Sequence, residues 1–389
     1  MVDKGIFTKT GKLKSTRYVL NLTPFWIKQT KQNADWQAAD FVIIGENHEN
    51  SQPAFYNSSG INFTWSYLKC TWCFLRIASA KPKGSFLNMR KLAFGYSTRC
   101  NIKCEHCVAA DDIPDCRKMD HNKAKEIIVE MAQAGVGGIS FSAGEPFLYF
   151  NEMVDLVKLC KQIGIYTRIV TNSYWAKTKE ASDSLVSELK KNGLCQLRLS
   201  YSRWHQKNIN RNNVLNAAHS CQKNGLNYFI SFVTDFSIED DPHEQFLRDQ
   251  GLKFFPEPVI YAGRAASFKR RNILTDYQAN CCDMNPYLTP DLDMYACCDA
   301  GSHFSETNFF YLGNLTDNTM EQLFTKTETD RLYSFIRTMG ITNIASFTGM
   351  KAREIITYSK CELCRKLFNS PETLKLLRAE VSQLAAWSR

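Results

Sequence analysis

The chain has 389 residues, of which 44% are apolar and 22% are charged, and its 48 basic and 39 acidic residues give a formal charge of +9. This length predicts about two or three domains, and the composition predicts a hydrophobic core and excludes long disorder. No stretch approaches about 18 apolar residues, and the opening MVDKGIFTKTGKLK lacks the apolar run of a secretory signal. We therefore expect a cytoplasmic protein without a membrane span. The basic residues are scattered, which favours a solvated basic surface over attraction of nucleic acid or an acidic peptide.

The first 88 residues follow no regular helix or strand pattern. We interpret 1–88 as an N-terminal extension that could bind a substrate or a leader peptide. It contains the pair Cys70 and Cys73, with spacing C-x2-C, for which structural, redox and metal-binding roles all stay open.

From Lys91 onward, short apolar runs alternate with amphipathic stretches about every 30 residues. The predicted strands are 91–97, 137–142, 166–171, 195–202, 227–234 and 253–260, and the predicted helices are 122–135, 151–164, 180–193, 212–225 and 241–251. Each of these helices ends at or close to a glycine, as left-handed C-terminal caps do. The alternation predicts an α/β fold with a partial (βα)6 TIM-like barrel over 89–270. In such folds the chemistry lies at the carboxyl ends of the strands. Residues 271–389 are predicted to form a small α+β domain.

The stretch FGYSTRCNIKCEHCVAA follows the first predicted strand and contains Cys100, Cys104 and Cys107 in C-x3-C-x2-C spacing. Clustered cysteines in a reducing compartment favour metal or redox chemistry over disulfides. Thiolates suit zinc or iron–sulfur clusters, but a structural zinc site takes four protein ligands. A [4Fe–4S] cluster held by three cysteines would leave one iron open to an outside ligand.

This motif, placed after the first strand of a βα barrel, resembles that of the radical S-adenosylmethionine (radical SAM) superfamily. A second motif, Ser142-Ala143-Gly144-Glu145-Pro146, resembles the family's G-G-E-P turn, with Ala143 in place of the commoner glycine. The resemblance implies a [4Fe–4S] cluster on Cys100, Cys104 and Cys107 whose open iron binds S-adenosyl-L-methionine. One electron, from a donor such as flavodoxin or ferredoxin, would cleave that cofactor to a 5′-deoxyadenosyl radical that abstracts a substrate hydrogen. The alternative is a zinc-stabilised barrel.

The same resemblance supplies candidate cofactor-binding residues near the strand ends. They are His106, Ser142, Gly144, Glu145, Asn172, Arg198 and Ser200. Asn172 lies in TNS, where Ser173 replaces the family's glycine, and Ser202 stands where many relatives have aspartate. His205 is either an acid–base group or a hydrogen-bonded structural histidine, and we favour the second. No catalytic residue is assigned.

The C-terminal cysteines resemble the auxiliary-cluster extension of radical SAM proteins, called SPASM in its long form and twitch in its short form. Their number fits the short form, with a second [4Fe–4S] cluster on Cys282, Cys297, Cys361 and Cys364. Cys281 and Cys298 are alternatives within their pairs, and Leu292 lies where the family often has glycine. A zinc ribbon on the same thiols is the competing interpretation.

Radical SAM proteins with this extension often modify ribosomally made peptides by crosslinking, epimerisation or oxidation. We therefore expect a peptide substrate. The alternatives are dehydrogenation or epimerisation of a small sugar or alcohol, RNA modification, and a non-catalytic iron–sulfur protein. A nucleic-acid partner is the less favoured of these.

Overall fold

A computed structural model describes residues 90–108, 116–269, 284–298, 309–358 and 360–386, together with the backbone of five short N-terminal strands. The chain divides into two compact units, one of Met1–Phe86 with Leu376–Arg389 and one of Leu87–Lys375. In the first unit, β1 (Phe7–Thr10) pairs with β2 (Arg17–Leu20), and β3 (Val42–Ile43), β4 (Phe55–Tyr56) and β5 (Asn62–Phe63) form an antiparallel sheet. The rest of the predicted N-terminal extension, including Cys70 and Cys73, lies outside the described residues.

Six parallel strands form the centre of the second unit. They are β6 (Arg90–Gly95), β7 (Val136–Ser142), β8 (Tyr166–Thr171), β9 (Gln196–Tyr201), β10 (Asn227–Thr234) and β11 (Phe254–Pro258). Each strand pairs in parallel with the next one along the chain. This arrangement confirms the predicted α/β fold with a six-stranded partial barrel.

Helices connect these strands. They are α1 (His121–Gln133), α2 (Phe150–Gln162), α3 (Lys179–Asn192), the short α4 (Arg203–Gln206), α5 (Arg211–Lys223) and α6 (Asp241–Asp249). In α1 the buried residues Ala124, Ile127, Ile128 and Met131 recur at the spacing of one helix face, and Asp120 caps the helix by accepting from the Lys123 amide at 2.9 Å. The glycines expected at the helix ends all have positive φ, between 60° and 108°: Gly135, Gly164, Gly193, Gly225 and Gly251.

The sheet continues beyond the barrel into the C-terminal part of the chain. Strand β12 (Tyr287–Leu288) pairs in parallel with β6, and β13 (Asp293–Tyr295) and β14 (Tyr311–Asn314) follow antiparallel. The result is one nine-stranded sheet of order β11-β10-β9-β8-β7-β6-β12-β13-β14. The sequence placed a domain boundary at 270/271, and the sheet runs across that boundary.

The C-terminal helices follow β14. They are α7 (Met320–Thr329), α8 (Arg331–Met339), α9 (Ile341–Phe347), α10 (Ala352–Ile355), α11 (Lys360–Phe368) and α12 (Pro371–Ala386). Helix α7 is joined to the start of β6 by ion pairs from Arg90 to Glu321 and Glu328, and the Arg90 guanidinium lies 4.9 Å from the centre of the Phe324 ring. Among the described residues, every helix is too short or too polar to cross a bilayer.

Strand β9 shows how the sheet separates a core face from an inner face. Leu197, Leu199 and Tyr201 are completely buried, and the Tyr201 ring packs against Phe246 of α6. Arg198 and Ser200 alternate with them on the opposite, half-buried face.

Candidate functional site

The three cysteines lie in the loop that leaves the carboxyl end of β6. Cys104 is buried, Cys107 is half-buried and Cys100 is exposed. Burial, together with the nearby charges of Cys107 and Cys100, raises the pKa of the Cys104 thiol to about 12. Desolvation also raises the pKa of Cys100, with a contribution from Cys107. The charges of Cys107 and Cys100 both act on Cys104, so three thiolates here would repel one another, and the group favours a shared cationic centre over three separate charges. The donor set thus fits an iron–sulfur cluster.

The turn after β7 packs directly against the start of this cysteine loop. Gly144 has φ of 55°, and a Cβ placed there would lie 2.7 Å from the Ser97 carbonyl oxygen and closer still to that of Arg99. The Glu145 amide donates to the Arg99 carbonyl at 2.8 Å. A side chain at 144 would separate these two segments, which explains why the sequence has glycine there. Ser142, the last residue of β7, lies opposite Gly95 of β6.

Glu145 is buried, and its carboxylate joins the ends of the second and third strands. One oxygen accepts from the Thr171 hydroxyl at 2.8 Å and from the Phe147 amide at 3.1 Å, and the other accepts from the Asn172 amide at 2.8 Å. Burial raises the pKa of Glu145 to about 7, although these three hydrogen bonds oppose the increase. The carboxylate therefore positions protein backbone, and its expected contact with S-adenosylmethionine stays a prediction.

Asn172 connects the third strand end to the cysteine loop. Its side-chain amide donates to Asn101 at 2.9 Å and reaches the Cys100 sulfur at 3.8 Å. Its carbonyl oxygen accepts from the Tyr174 amide at 3.0 Å, which fixes the orientation of the amide group. The structure thus brings Asn172 within reach of a predicted metal ligand.

His106 is buried in an aromatic group behind the loop. Its ring stacks on Trp204 at 4.9 Å between centroids and meets the His205 ring edge-on at 4.7 Å. The Arg203 guanidinium lies 4.0 Å from the centre of the Trp204 ring. Burial, with smaller effects from neighbouring cations, lowers the pKa of His106 to about 2 and keeps the ring neutral. The contact of His106 with the cofactor stays a prediction.

Arg198 and Ser200 lie in the fourth strand, on the inner face of the sheet. The Arg198 guanidinium donates to the Ser231 hydroxyl at 3.0 Å and forms an ion pair with Glu257. It therefore joins the fourth, fifth and sixth strands. Ser200 faces Ser231 in the strand register. A contact of either residue with the cofactor stays a prediction.

Gly263 and Arg264, which follow the sixth strand, were not predicted from the sequence. The Arg264 guanidinium donates to the Cys104 carbonyl at 2.8 Å, and its amide donates to the Cys107 carbonyl at 3.2 Å. Gly263 has φ of 55°, and a Cβ there would lie 2.7 Å from the same Cys107 carbonyl. The signal was a Gly-Arg pair directly after a predicted barrel strand, where functional residues are expected.

Three residues that replace family glycines have left-handed backbone conformations. Ala143 has φ of 70°, Ser173 has φ of 65° and Leu292 has φ of 71°. Such values are unusual for residues other than glycine. The backbone therefore keeps, at all three positions, a conformation that glycine adopts most easily.

Four of the predicted auxiliary ligands or their alternatives lie in described segments, and Cys281 and Cys282 lie outside them. Cys297 is buried, whereas Cys298 packs against Tyr287 and Tyr295. Next to Cys297, the Ala296 amide donates to the Phe310 carbonyl at 2.8 Å.

Helix α11 reaches the same Phe310. Cys361 and Cys364 lie on α11 one turn apart, and Cys364 lies one turn before Phe368. The Phe368 ring contacts Phe310 at 5.6 Å between centroids. This path of contacts brings Cys297 and the α11 cysteines into one region. Their ligation of a cluster stays a prediction.

The structure combines a partial barrel with a first loop that presents three thiols beside a glycine turn, and this arrangement resembles that of the radical SAM superfamily. Residues 95–248 match the family model of the Radical SAM superfamily. The chain therefore contains a radical SAM domain and is a radical SAM enzyme. The family implies a [4Fe–4S] cluster and S-adenosylmethionine as cofactors.

Among relatives, the chain is 21% identical to YydG of Bacillus subtilis (strain 168), which is provisionally described as a peptide biosynthesis protein, over 73% of this chain and 94% of that protein. It is 31% identical to the PqqA peptide cyclase of Bradyrhizobium diazoefficiens over 104 residues, about a quarter of each chain. The fold matches the solved structure of anSMEcpe with bound AdoMet at a TM-score of 0.50 and 15% identity, covering 76% of this chain and 96% of the other.

Proposed function

We propose that this radical SAM enzyme modifies a ribosomally made peptide by crosslinking, epimerisation or oxidation. The observation that carries this proposal is the similarity to YydG, because it extends over 94% of that peptide biosynthesis protein and not over the radical SAM domain alone. The match to the PqqA peptide cyclase supports the same substrate class over a shorter segment.

In this proposal Cys100, Cys104 and Cys107 hold the [4Fe–4S] cluster. When bound, the cluster and S-adenosylmethionine supply one-electron cleavage and a hydrogen-abstracting radical. The chain's own residues then have positioning roles. Gly144 keeps the turn against the loop, Asn172 orients toward Cys100, and Arg264 holds the backbone of the loop from the far side. The half-buried inner face of the sheet, which carries Arg198, is where the substrate would lie.

A second [4Fe–4S] cluster in the C-terminal region is part of the same proposal. Cys297, Cys361 and Cys364 would supply three ligands and Cys282 the fourth. Support comes from two contacts of Phe310, which directly precedes β14. Its carbonyl accepts from the residue next to Cys297, and its ring packs against α11. The packing of Cys298 against the tyrosines favours Cys297 over its neighbour. A zinc ribbon would use the same thiols, and metal analysis would then find zinc together with the iron of the first cluster alone.

The test combines cofactor cleavage with isotope transfer. Protein purified and reconstituted without oxygen is reduced and incubated with S-adenosylmethionine and a deuterated peptide encoded beside its gene. We expect deuterium in 5′-deoxyadenosine and a changed peptide mass, and neither with Cys104→Ala. Cleavage without transfer from any such peptide, but with transfer from a free sugar or alcohol, would assign a small-molecule substrate instead. No cleavage by fully loaded wild-type protein would remove the enzymatic proposal.

A further inference from the structure

A buried histidine, His205, lies directly behind the cysteine loop. Ligand atoms of Cys104, His106 and His205 lie within 4.8 Å of one another, and all three residues are buried. His205 is brought there by α4, the short helix that begins right after the fourth strand. Of the three, only Cys104 is a predicted cluster ligand, so the two histidines require a separate explanation.

The hydrogen bonds of Ser202 determine which ring nitrogen of His205 carries hydrogen. The Ser202 hydroxyl oxygen accepts from the His205 amide at 3.1 Å and lies 2.8 Å from His205 Nδ1. Ser202 is completely buried, so its hydroxyl hydrogen needs a protein acceptor, and Nδ1 provides one. Nδ1 is then the acceptor, and the neutral ring carries its hydrogen on Nε2. Burial lowers the pKa of His205 to about 4, in agreement with a neutral ring.

Among the three residues, the possible partners of the His205 N–H are the ring of His106 and the Cys104 sulfur. The Nδ1 atom of His106 is buried and has no hydrogen-bond partner among the described residues, so it does not accept from His205. The His106 ring is fixed by its stacking on Trp204. The remaining group of the triad is the Cys104 sulfur. Sulfur atoms of a cysteine-ligated cluster accept such hydrogen bonds, and these bonds set its reduction potential.

We propose that His205 is a positioning residue that donates its Nε2–H to the sulfur side of the cluster at Cys104 and so raises the cluster's reduction potential. The inference rests on the proposed cluster ligation. A hydrogen bond to sulfur stabilises the reduced cluster, which carries one more negative charge, more than the oxidised one. Ser202 makes this possible because its hydroxyl can donate to Nδ1, which an ionised aspartate at that position could not do.

The test is a redox titration of the full chain, loaded with cluster, followed by electron paramagnetic resonance with dithionite as reductant. We expect the midpoint potential of His205→Phe to be more negative than that of wild type. The potential of His205→Gln, which keeps an N–H donor, should lie between the two. His243→Phe is the matched control, because His243 is half-buried, hydrogen-bonds Tyr201 at 3.3 Å and lies on α6. An unchanged potential in His205→Phe with full iron content would overturn the inference.

A second measurement needs no variant. Electron–nuclear double resonance of the reduced wild-type cluster, with nitrogen-15 histidine and deuterium exchange, should show a histidine nitrogen and an exchangeable deuteron. Absence of both signals would overturn the inference while cofactor cleavage continued, which leaves the proposed function intact. Protein that binds zinc through Cys104, His106 and His205 and assembles no iron cluster would overturn both.

Discussion

Ala143, Ser173 and Leu292 have side chains at positions where the resemblance to the radical SAM superfamily and its auxiliary-cluster extension predicts glycine. Their φ values of 65° to 71° lie in the left-handed region, which costs a residue with a Cβ about 1–2 kcal/mol. The surrounding contacts must supply that energy. Around Ala143, they include the packing of Gly144 and Glu145 against the Ser97–Arg99 backbone. The path of the turn is thus set by its contacts with the cysteine loop and not by local preference.

The strain at Ala143 predicts that Ala143→Gly stabilises the protein. Glycine removes the left-handed penalty but gains entropy in the unfolded chain, so we expect the free energy of unfolding to rise by about 0.5–1 kcal/mol. The same change at Ala132, inside α1, is the control and should lower that free energy by about 1 kcal/mol. Urea unfolding of the two variants measures the difference. If both variants were destabilised equally, the backbone at Ala143 would not be strained.

Glu145 predicts a dependence of stability on pH. Its pKa is about 7 in the folded protein, above its ordinary value of 4.5, because of burial. Between these pH values the folded state binds more protons than the unfolded state, so the free energy of unfolding falls as the pH rises. The full loss, reached above about pH 7, is about 3 kcal/mol. Urea unfolding of cluster-free protein from pH 4.5 to 8 should show a weaker fall with pH for Glu145→Gln than for wild type. Parallel curves would argue against the raised pKa.

At the scale of elements, the alternation of apolar and amphipathic stretches was enough to predict six strands and five helices with boundaries close to those observed. Each of these elements buries one face, and the spacing of apolar residues in the sequence indicates which face it is. The pairing of β12 with β6 could not be predicted, because it joins two-residue strands to a segment nearly 200 residues earlier. The contact of Arg264 with the Cys104 carbonyl, across 160 residues, could not be predicted for the same reason.

The features of the candidate site also divide into those that the sequence predicted and those that it did not. The cysteines, Gly144 and Asn172 were predicted because they lie in short motifs at strand ends. The stacking of His106 on Trp204 and the hydrogen bonds between Ser202 and His205 depend on side-chain orientation. The spacing of residues in the sequence does not indicate how their side chains are oriented.

The junction between the β7 turn and the cysteine loop predicts different costs for two glycines. Gly144→Ala adds a Cβ against the Ser97 and Arg99 carbonyls, in addition to the left-handed penalty. Gly135 has φ of 74°, but a Cβ there would meet nothing within 4 Å. We expect Gly135→Ala to cost about 1 kcal/mol and Gly144→Ala to cost about 2–4 kcal/mol. Only the second should reduce iron retained per chain after anaerobic reconstitution. Equal iron content in both variants would show that the turn does not position the loop.

At the scale of the whole second unit, one sheet carries both cysteine regions. Strand β6 leads into the loop of Cys100, Cys104 and Cys107, and its neighbour β12 begins the hairpin that leads to Cys297. Arg90, at the start of the same β6, holds α7 through its ion pairs with Glu321 and Glu328. Movement of the C-terminal region relative to the barrel would break strand pairing, so the distance between the two regions is fixed by the fold.

Although the two cysteine regions share a sheet, we expect substitutions in them to affect different steps of the reaction. Cys361 lies on α11, outside the loop that would hold S-adenosylmethionine. Cys361→Ala should therefore still cleave the cofactor at a rate within about twofold of wild type, while formation of modified peptide falls by at least about a hundredfold, since removal of a cluster ligand commonly disrupts the site. Cys104→Ala should lose both activities, and Cys116→Ala, which removes an exposed thiol, should keep both. Chromatography of 5′-deoxyadenosine and mass spectrometry of the peptide measure the two activities. If Cys361→Ala formed product normally, the C-terminal thiols would have no part in the reaction, and the hairpin and α11 would serve only to complete the sheet and its packing.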